Sequence, residues 1–443
     1  MEILVIGGIA AGMSIASKAN RESKDAKVTV IEKEHYISLG ACGLPYYLGE
    51  QFDDSNEMIA RTPEQMREAG INVLTRHEAI SVDFDKKEVL VRNLETGEQF
   101  TQGYDRLAIA AGAKAIDALK ERSGLDNVFS LTRIAQADGI KERLDEAEDI
   151  VVVGGGFIGV EAAEQLAHIG KKVKLLQRSS MVMRNVFDPE ICDLVGEALV
   201  ETGVELLLNE ALVDYVTEGN HATAVITSKG EHKADLIIEA LGFRPNTAIF
   251  DDERLEKAKN GAIVTDEYGR TSIKDVYAAG DCALVNNIQT GPSYTPLATY
   301  ANKMGRLIGE NIVSDKPRAY IGALGSSVVR VGDYGTAVTG LTELAAKNMG
   351  LDIKSVLVTT NNHSNYWPNQ EKIKIKLVYD ANTRKILGGQ TFGKYGAAER
   401  INATTMAVYN GNTVDELGFM DFAYSPPYAS VWEALNVAGN AAK

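Results

Sequence analysis

Cysteine is scarce: 443 residues hold three, Cys42, Cys192 and Cys282, with no CxxC pair among them. Three thiols are no disulfide framework, so a reducing, cytoplasmic setting is expected. Positive charge is short as well, with 46 Lys and Arg against 61 Asp and Glu and a net charge of −15. A nucleic-acid partner, which needs a basic face, is therefore not expected. An anionic small molecule is not excluded, since a few local Lys or Arg suffice for a pocket. Apolar runs of about 18 residues are absent, so no membrane span is expected. The opening MEILVIGGIAAG is apolar, but Glu2 stands where a secretory signal carries basic residues, and glycines interrupt its middle. What is present, 45% hydrophobic and 24% charged residues, is globular material. Length suggests about two to four domains.

Two stretches repeat one pattern. EILVI, GGIAAG and a helix rich in Ala and Ser lead to KVTVIE, with Glu32 placed 20 residues after Gly12. DIVVV, GGGFIG and VEAAEQLAHIG lead to KKVKLLQR. Each reads as strand, glycine turn, helix and second strand. Such turns bring backbone against a pyrophosphate at a helix start, while an acid at the second strand's end takes ribose hydroxyls. The first copy has Ile9 at the usual middle glycine; the second, with Gly154, Gly156 and Gly159, is complete. Two nucleotide sites in one chain follow. In the second, the acid's slot is Gln177, followed by Arg178. A neutral amide and a guanidinium tolerate a 2′-phosphate that an acid would repel, so NADPH use is expected, alongside NADH. LAIAAGA and DVYAAGDC each place a small-residue turn after a short strand, and the second ends on Asp281. In SLGACGLPYYLG, residues 38–49, Cys42 is either a packed thiol or a reactive one.

In this order the motifs resemble the two-dinucleotide flavoprotein disulfide reductases, over essentially the whole chain. The resemblance implies an α/β fold: two Rossmann-like dinucleotide-binding domains and a C-terminal α+β dimerisation domain. The expected boundaries are residues 1–115 with 243–323 for FAD, 116–242 for NAD(P)H and 324–443 for dimerisation. FAD contacts are implied at Gly7, Gly8, Gly12, Glu32, Lys33, Ala111, Gly112 and Asp281. Nicotinamide coenzyme contacts are implied at Gly154, Gly156, Ile158, Gly159, Glu161, Gln177, Arg178 and Gly242.

A single Cys42 in place of a CxxxxC pair resembles the branch containing NADH peroxidase, water-forming NADH oxidase and coenzyme A–disulfide reductase. There the matching cysteine is redox-active at a helix N-terminus, where the thiolate is favoured. Cys192, within DPEICDLVGEALVE, and Cys282 read as structural. The oxidase and peroxidase usually carry a histidine in the first glycine motif; Ala10 stands there, and no histidine precedes His35. CGLPYYLG looks more like the coenzyme A branch. That branch implies basic and polar contacts to coenzyme A at Lys18, Arg21, Ser38 and Arg61, although Ala41 replaces an asparagine common before the cysteine. From about residue 324 a third unit contains KIKIKLVYD, whose alternation reads as a half-buried strand. In relatives this unit pairs two subunits, and Tyr366 and Tyr424 match tyrosines flanking the substrate. The expectation is a homodimeric FAD enzyme reducing coenzyme A disulfide or persulfide with NAD(P)H. Two alternatives stay open: an NADH oxidase cycling Cys42 through sulfenic acid, and a redox sensor or partner-protein reductase.

Overall fold

Val- and Ile-rich runs bounded by glycine turns build parallel strands covered on both faces, and two such sheets dominate the chain. The computed structural model describes residues 1–119 and 124–443. Residues 120–123, inside the span 116–242 expected to bind NAD(P)H, lie outside the described residues. By internal contacts the chain divides into two units. The first comprises Met1–Leu44, Phe52–Ile116 and Phe243–Ala323; the second comprises Pro45–Gln51, Asp117–Gly242 and Leu324–Lys443.

In the first unit, Glu2–Ile6 is the middle strand of a five-stranded parallel sheet. Lys27–Ile31 and then Asn72–Leu74 lie on one side, Arg106–Ile109 and then Val276–Ala278 on the other. The helix Ala10–Glu22 returns the chain between the first two strands and packs on the helix Ala298–Asn311. Small residues permit that approach: a Cβ added at Gly305 would meet the Ala11 carbonyl oxygen at 2.5 Å. The buried faces of Ala10–Glu22, including Met13, Ile15 and Ala19, share one core with Val5, Val28 and Val30. A three-stranded antiparallel sheet, His77–Asp83, Glu88–Asn93 and Gln99–Gly103, is also present.

The second unit repeats the first sheet's plan. Asp149–Val153 is central, with Lys172–Gln177 and Glu205–Leu208 on one side and Leu236–Glu239 and Val128–Ser130 on the other. The same unit holds a five-stranded antiparallel sheet in the order Ser327–Val331, Tyr334–Gly340, Ile386–Gly393, Lys372–Asp380, Ile353–Asn361. The helices Ile401–Asn410 and Ala434–Ala441 cover it.

One strand departs from its sequence reading. In Lys372–Asp380 the alternation fails after Ile375, and Lys376 is buried. Its ammonium is 3.1 Å from Asp188 Oδ2, 3.0 Å from Glu190 Oε1 and 2.9 Å from Glu343 Oε2. Three carboxylates offset the desolvation of one cation, so the lysine turns inward. No helix among the described residues is long and apolar enough to cross a membrane.

Candidate functional site

Both glycine turns end in helices whose first N–H groups are open to a ligand. Neither Ala10–Glu22 nor Phe157–His168 has a capping side chain or an acid in its first turn. Orphan N–H groups at a helix start need acceptors, and an anion supplies them. A Cβ added at Gly12 would lie 1.7 Å from the Gly7 carbonyl oxygen, and one at Gly159 would lie 1.8 Å from that of Gly154. Gly7 and Gly154 turn the chain with φ of 104° and 112°. The cradles are thus kept clear of side chains at matching places. Gly156 is exposed and Ile158 half-buried at the mouth of the second.

A residue at the end of each second strand ties back to its turn. Glu32 is buried and accepts from Gly8 N–H at 2.6 Å and from Glu34 N–H at 2.9 Å. Gln177 accepts from Gly155 N–H at 3.0 Å and donates to Ser179 Oγ at 2.6 Å. The two turns share a geometry and differ in charge, carboxylate in one and amide in the other. Lys33 and Arg178, the following residues, are exposed. In the turns after the strands Arg106–Ile109 and Leu236–Glu239, Gly112 and Gly242 both have positive φ, 66° and 95°, with open space where a Cβ would sit. Asn246 fastens the first of these turns by donating to the Ala111 carbonyl at 3.2 Å. Asp281 is half-buried, two residues beyond Ala279, whose N–H is bonded to the Ile109 carbonyl at 3.1 Å.

Cys42 lies in a 3-10 turn, Ala41–Gly43, that runs directly into the five-residue helix Leu44–Leu48. The expected helix N-terminus is thus a tighter turn preceding a short helix, with Pro45 inside its first turn. The Cys42 side chain is exposed, whereas Cys192 and Cys282 are buried. Burial pushes both of those thiols up to about 12, which keeps them protonated and unreactive. Ser38, in the left-handed region at φ 54°, donates its N–H to the Gly8 carbonyl at 2.9 Å. Its own carbonyl accepts from Ala60 N–H at 3.1 Å, and Gly40 N–H reaches the Met58 carbonyl at 2.8 Å. The first glycine turn, Ser38, the Cys42 turn and the Arg61 segment therefore come together. Arg61 and Arg21 are exposed. Lys18 is turned instead toward Glu22 and, at 3.7 Å, Glu310, with its side chain 12% exposed; a phosphate would compete with both acids.

In the second unit Glu161 stands one turn before Glu164 on Phe157–His168, and both are shielded from water. Burial pushes the Glu161 carboxyl up to about 7; the Tyr46 hydroxyl, donating at 3.3 Å, opposes the rise and Glu164 adds to it. Tyr46 is four residues after Cys42, and nothing in the sequence singles it out. Tyr366 and Tyr424, 58 residues apart, meet with their hydroxyls 3.0 Å from each other, and both are exposed. Hydrogen bonds from Tyr366 and Ser364 lower the Tyr424 phenol below its ordinary value. The Tyr366 phenol is raised, chiefly by its bond to Tyr424. The same unit also exposes Phe419, Tyr428, Val431 and Trp432.

Residues 1–305 match the family described as pyridine nucleotide-disulphide oxidoreductase, and residues 326–435 match that family's dimerisation domain. An NADH oxidase of Enterococcus faecalis is 34% identical over 100% of this chain and 99% of its own. An NAD(P)H coenzyme A polysulfide/persulfide reductase of Pyrococcus horikoshii is 34% identical over 100% of this chain and 98% of its own. A coenzyme A disulfide reductase of Staphylococcus aureus is 31% identical, covering both chains fully. Among solved structures, an engineered water-forming NADPH oxidase bound to NADPH superimposes with a TM-score of 0.94 at 34% identity. The match covers 100% of this chain and 98% of that one, a five-substitution variant of the Lactobacillus brevis NADH oxidase.

Proposed function

Because this chain belongs to the pyridine nucleotide-disulphide oxidoreductase family, we propose that it reduces coenzyme A disulfide, or coenzyme A persulfide, with NADPH through Cys42. FAD and a nicotinamide coenzyme are the cofactors. The open helix starts at Ala10 and Phe157 fit their pyrophosphates, and Glu32 and Gln177, tied back to the two turns, would meet the corresponding riboses. Bound FAD supplies two-electron transfer between a nicotinamide hydride and sulfur.

The Cys42 thiolate attacks one sulfur of the disulfide, and the first coenzyme A thiolate leaves. The resulting Cys42–coenzyme A disulfide takes up the electron pair, its S–S bond breaks, and the second coenzyme A departs as Cys42 regains its thiolate. Of the two protons on the released thiols, one enters with the hydride and one comes from solvent. A second protein thiol is unnecessary because the substrate carries both remaining sulfurs. Arg21, Ser38 and Arg61 are the groups for the substrate's phosphates and polar edge, and Lys18 joins them only by leaving its acids. Tyr366 and Tyr424 are offered as proton donors to the departing sulfur.

Identity does not separate reductase from oxidase, since one relative of each kind stands at 34%. The observation that carries the reductase reading is Ala10, the first residue of the helix at the flavin turn. An oxidase would call for an imidazole there to stabilise charge beside a sulfenic acid. For the coenzyme, the engineered NADPH oxidase gained two arginines and a serine over its NADH-using parent. This chain has Arg178, Ser179 and Arg184 of its own, just after Gln177.

Intact mass of the enzyme purified without reductant tests the reading: a coenzyme A adduct on Cys42 is expected, and a single added oxygen would support the oxidase instead. Cys42→Ser should keep FAD and still accept hydride from NADPH, while disulfide turnover falls by a large factor. Retention of most turnover would overturn the proposal.

A further inference from the structure

A buried hydroxyl in the first unit has no protein partner. Tyr294 lies between the strand Gly291–Ser293 and the helix Ala298–Asn311, and its Oη makes no hydrogen bond among the described residues. An unsatisfied buried hydroxyl is costly and calls for an explanation at its own position. Burial, the Asp281 carboxylate and Cys282 hold the phenol well above its ordinary value, so it stays protonated and is available as a donor. Tyr104, also orphaned, has Asp83 and Asp275 as its electrostatic neighbours instead. Beside Tyr294, the helix Ala298–Asn311 begins without a capping side chain and without an acid in its first turn. Gly280, Asp281, Thr295, Leu297 and Tyr300 line one cavity, so the Asp281 turn and the uncapped helix start meet next to Tyr294 in the chain; an oxygen-rich ligand there would accept from the phenol and from the helix's first N–H groups.

We propose that Tyr294 is a binding residue for the flavin nucleotide, donating its hydroxyl to an oxygen of the cofactor held at the Asp281 turn. The proposal rests on the reading that this unit binds FAD. It makes a prediction with opposite signs in the two states of the protein. Without cofactor, the hydroxyl is an unsatisfied burden, and Tyr294→Phe should leave the apoprotein as stable as the unaltered chain, or more so. With cofactor, the same change removes a bond. A residue that merely packs would move both states in the same direction.

The test is reconstitution of the stripped full-length apoprotein with FAD, followed by flavin fluorescence and by melting of both forms. Tyr294→Phe should bind FAD about three- to tenfold more weakly, the net effect of one neutral hydrogen bond, with its apo melting temperature unchanged or raised. Tyr294→Met, also without a hydroxyl, should repeat the result and replaces the Phe variant if that one does not fold. Unchanged FAD affinity in either folded variant overturns the assignment while leaving the FAD reading intact. Failure of the unaltered apoprotein to bind FAD at all would sink both.

Discussion

Glu161 is an acid placed where its charge is costly, and that has a sign. Its carboxyl titrates at about 7 in the folded chain against an ordinary 4.5. The folded state therefore binds more protons than the unfolded state between those values, and stability falls as pH rises through that window. Glu161→Gln keeps an acceptor for Tyr46 and removes the charge. It should be more stable than the parent at pH 8, by on the order of 2 kcal/mol, with the gain vanishing near pH 4.5. Urea unfolding of both proteins at pH 5 and pH 8 reads this; an equal difference at the two values would refute it. Gln177 gives a second prediction at this scale. Glu in its place can still accept from Gly155, but it loses the donation to Ser179 and repels a 2′-phosphate. Gln177→Glu should shift kcat/KM from NADPH toward NADH, and strict NADH dependence of the parent would defeat the inference. The glycines, Glu32 and Gln177 were legible because sterics and spacing constrain them. Tyr46 and Tyr294 were not, since a hydrogen bond or an orphaned hydroxyl exists only once distant segments meet.

At the scale of elements, the duplicated strand–turn–helix–strand plan was readable because a parallel strand buried on both faces announces itself as an unbroken apolar run. The strand Lys372–Asp380 was misread because a charge at a polar position of an alternating pattern is assigned to solvent. Lys376 contradicts that through three carboxylates supplied by two other segments, Asp188 and Glu190 at the start of one helix and Glu343 at the start of another. Asp188 is also buried, accepting from the backbone of Glu343 at 3.0 Å and from Gln390 Nε2 at 2.6 Å. Removing the cation leaves that carboxylate with neutral donors only. Lys376→Met should cost about 3–5 kcal/mol, the range for breaking a buried pair from one side. A shift of the denaturant midpoint with unchanged slope would report it, and a loss below about 1 kcal/mol would show that the cluster is tuned by water rather than by the lysine.

For the whole molecule, the question is whether a single chain holds every group the reaction needs. Tyr366 and Tyr424 share a hydrogen bond and are exposed, and the same unit also exposes Phe419, Tyr428, Val431 and Trp432. All six lie within residues 326–435, the span that matches the family's dimerisation domain, and exposed apolar side chains there fit pairing with a second copy. Two phenols at such a surface could serve the partner's thiol as proton donors, a role typically worth about 10²–10⁴-fold in rate. Tyr366→Phe combined with Tyr424→Phe should then slow coenzyme A disulfide reduction while leaving flavin reduction by NADPH unchanged. Mixing subunits decides whose thiol they serve. In a heterodimer of Cys42→Ser with the double-Phe chain, donation across the interface gives one site both the thiol and the tyrosines, so activity partly returns. Donation within a subunit gives neither site both, and activity stays at the level of the double-Phe parent. Heterodimers isolated with two affinity tags and assayed with coenzyme A disulfide separate the two arrangements, and no recovery would confine the tyrosines to their own chain.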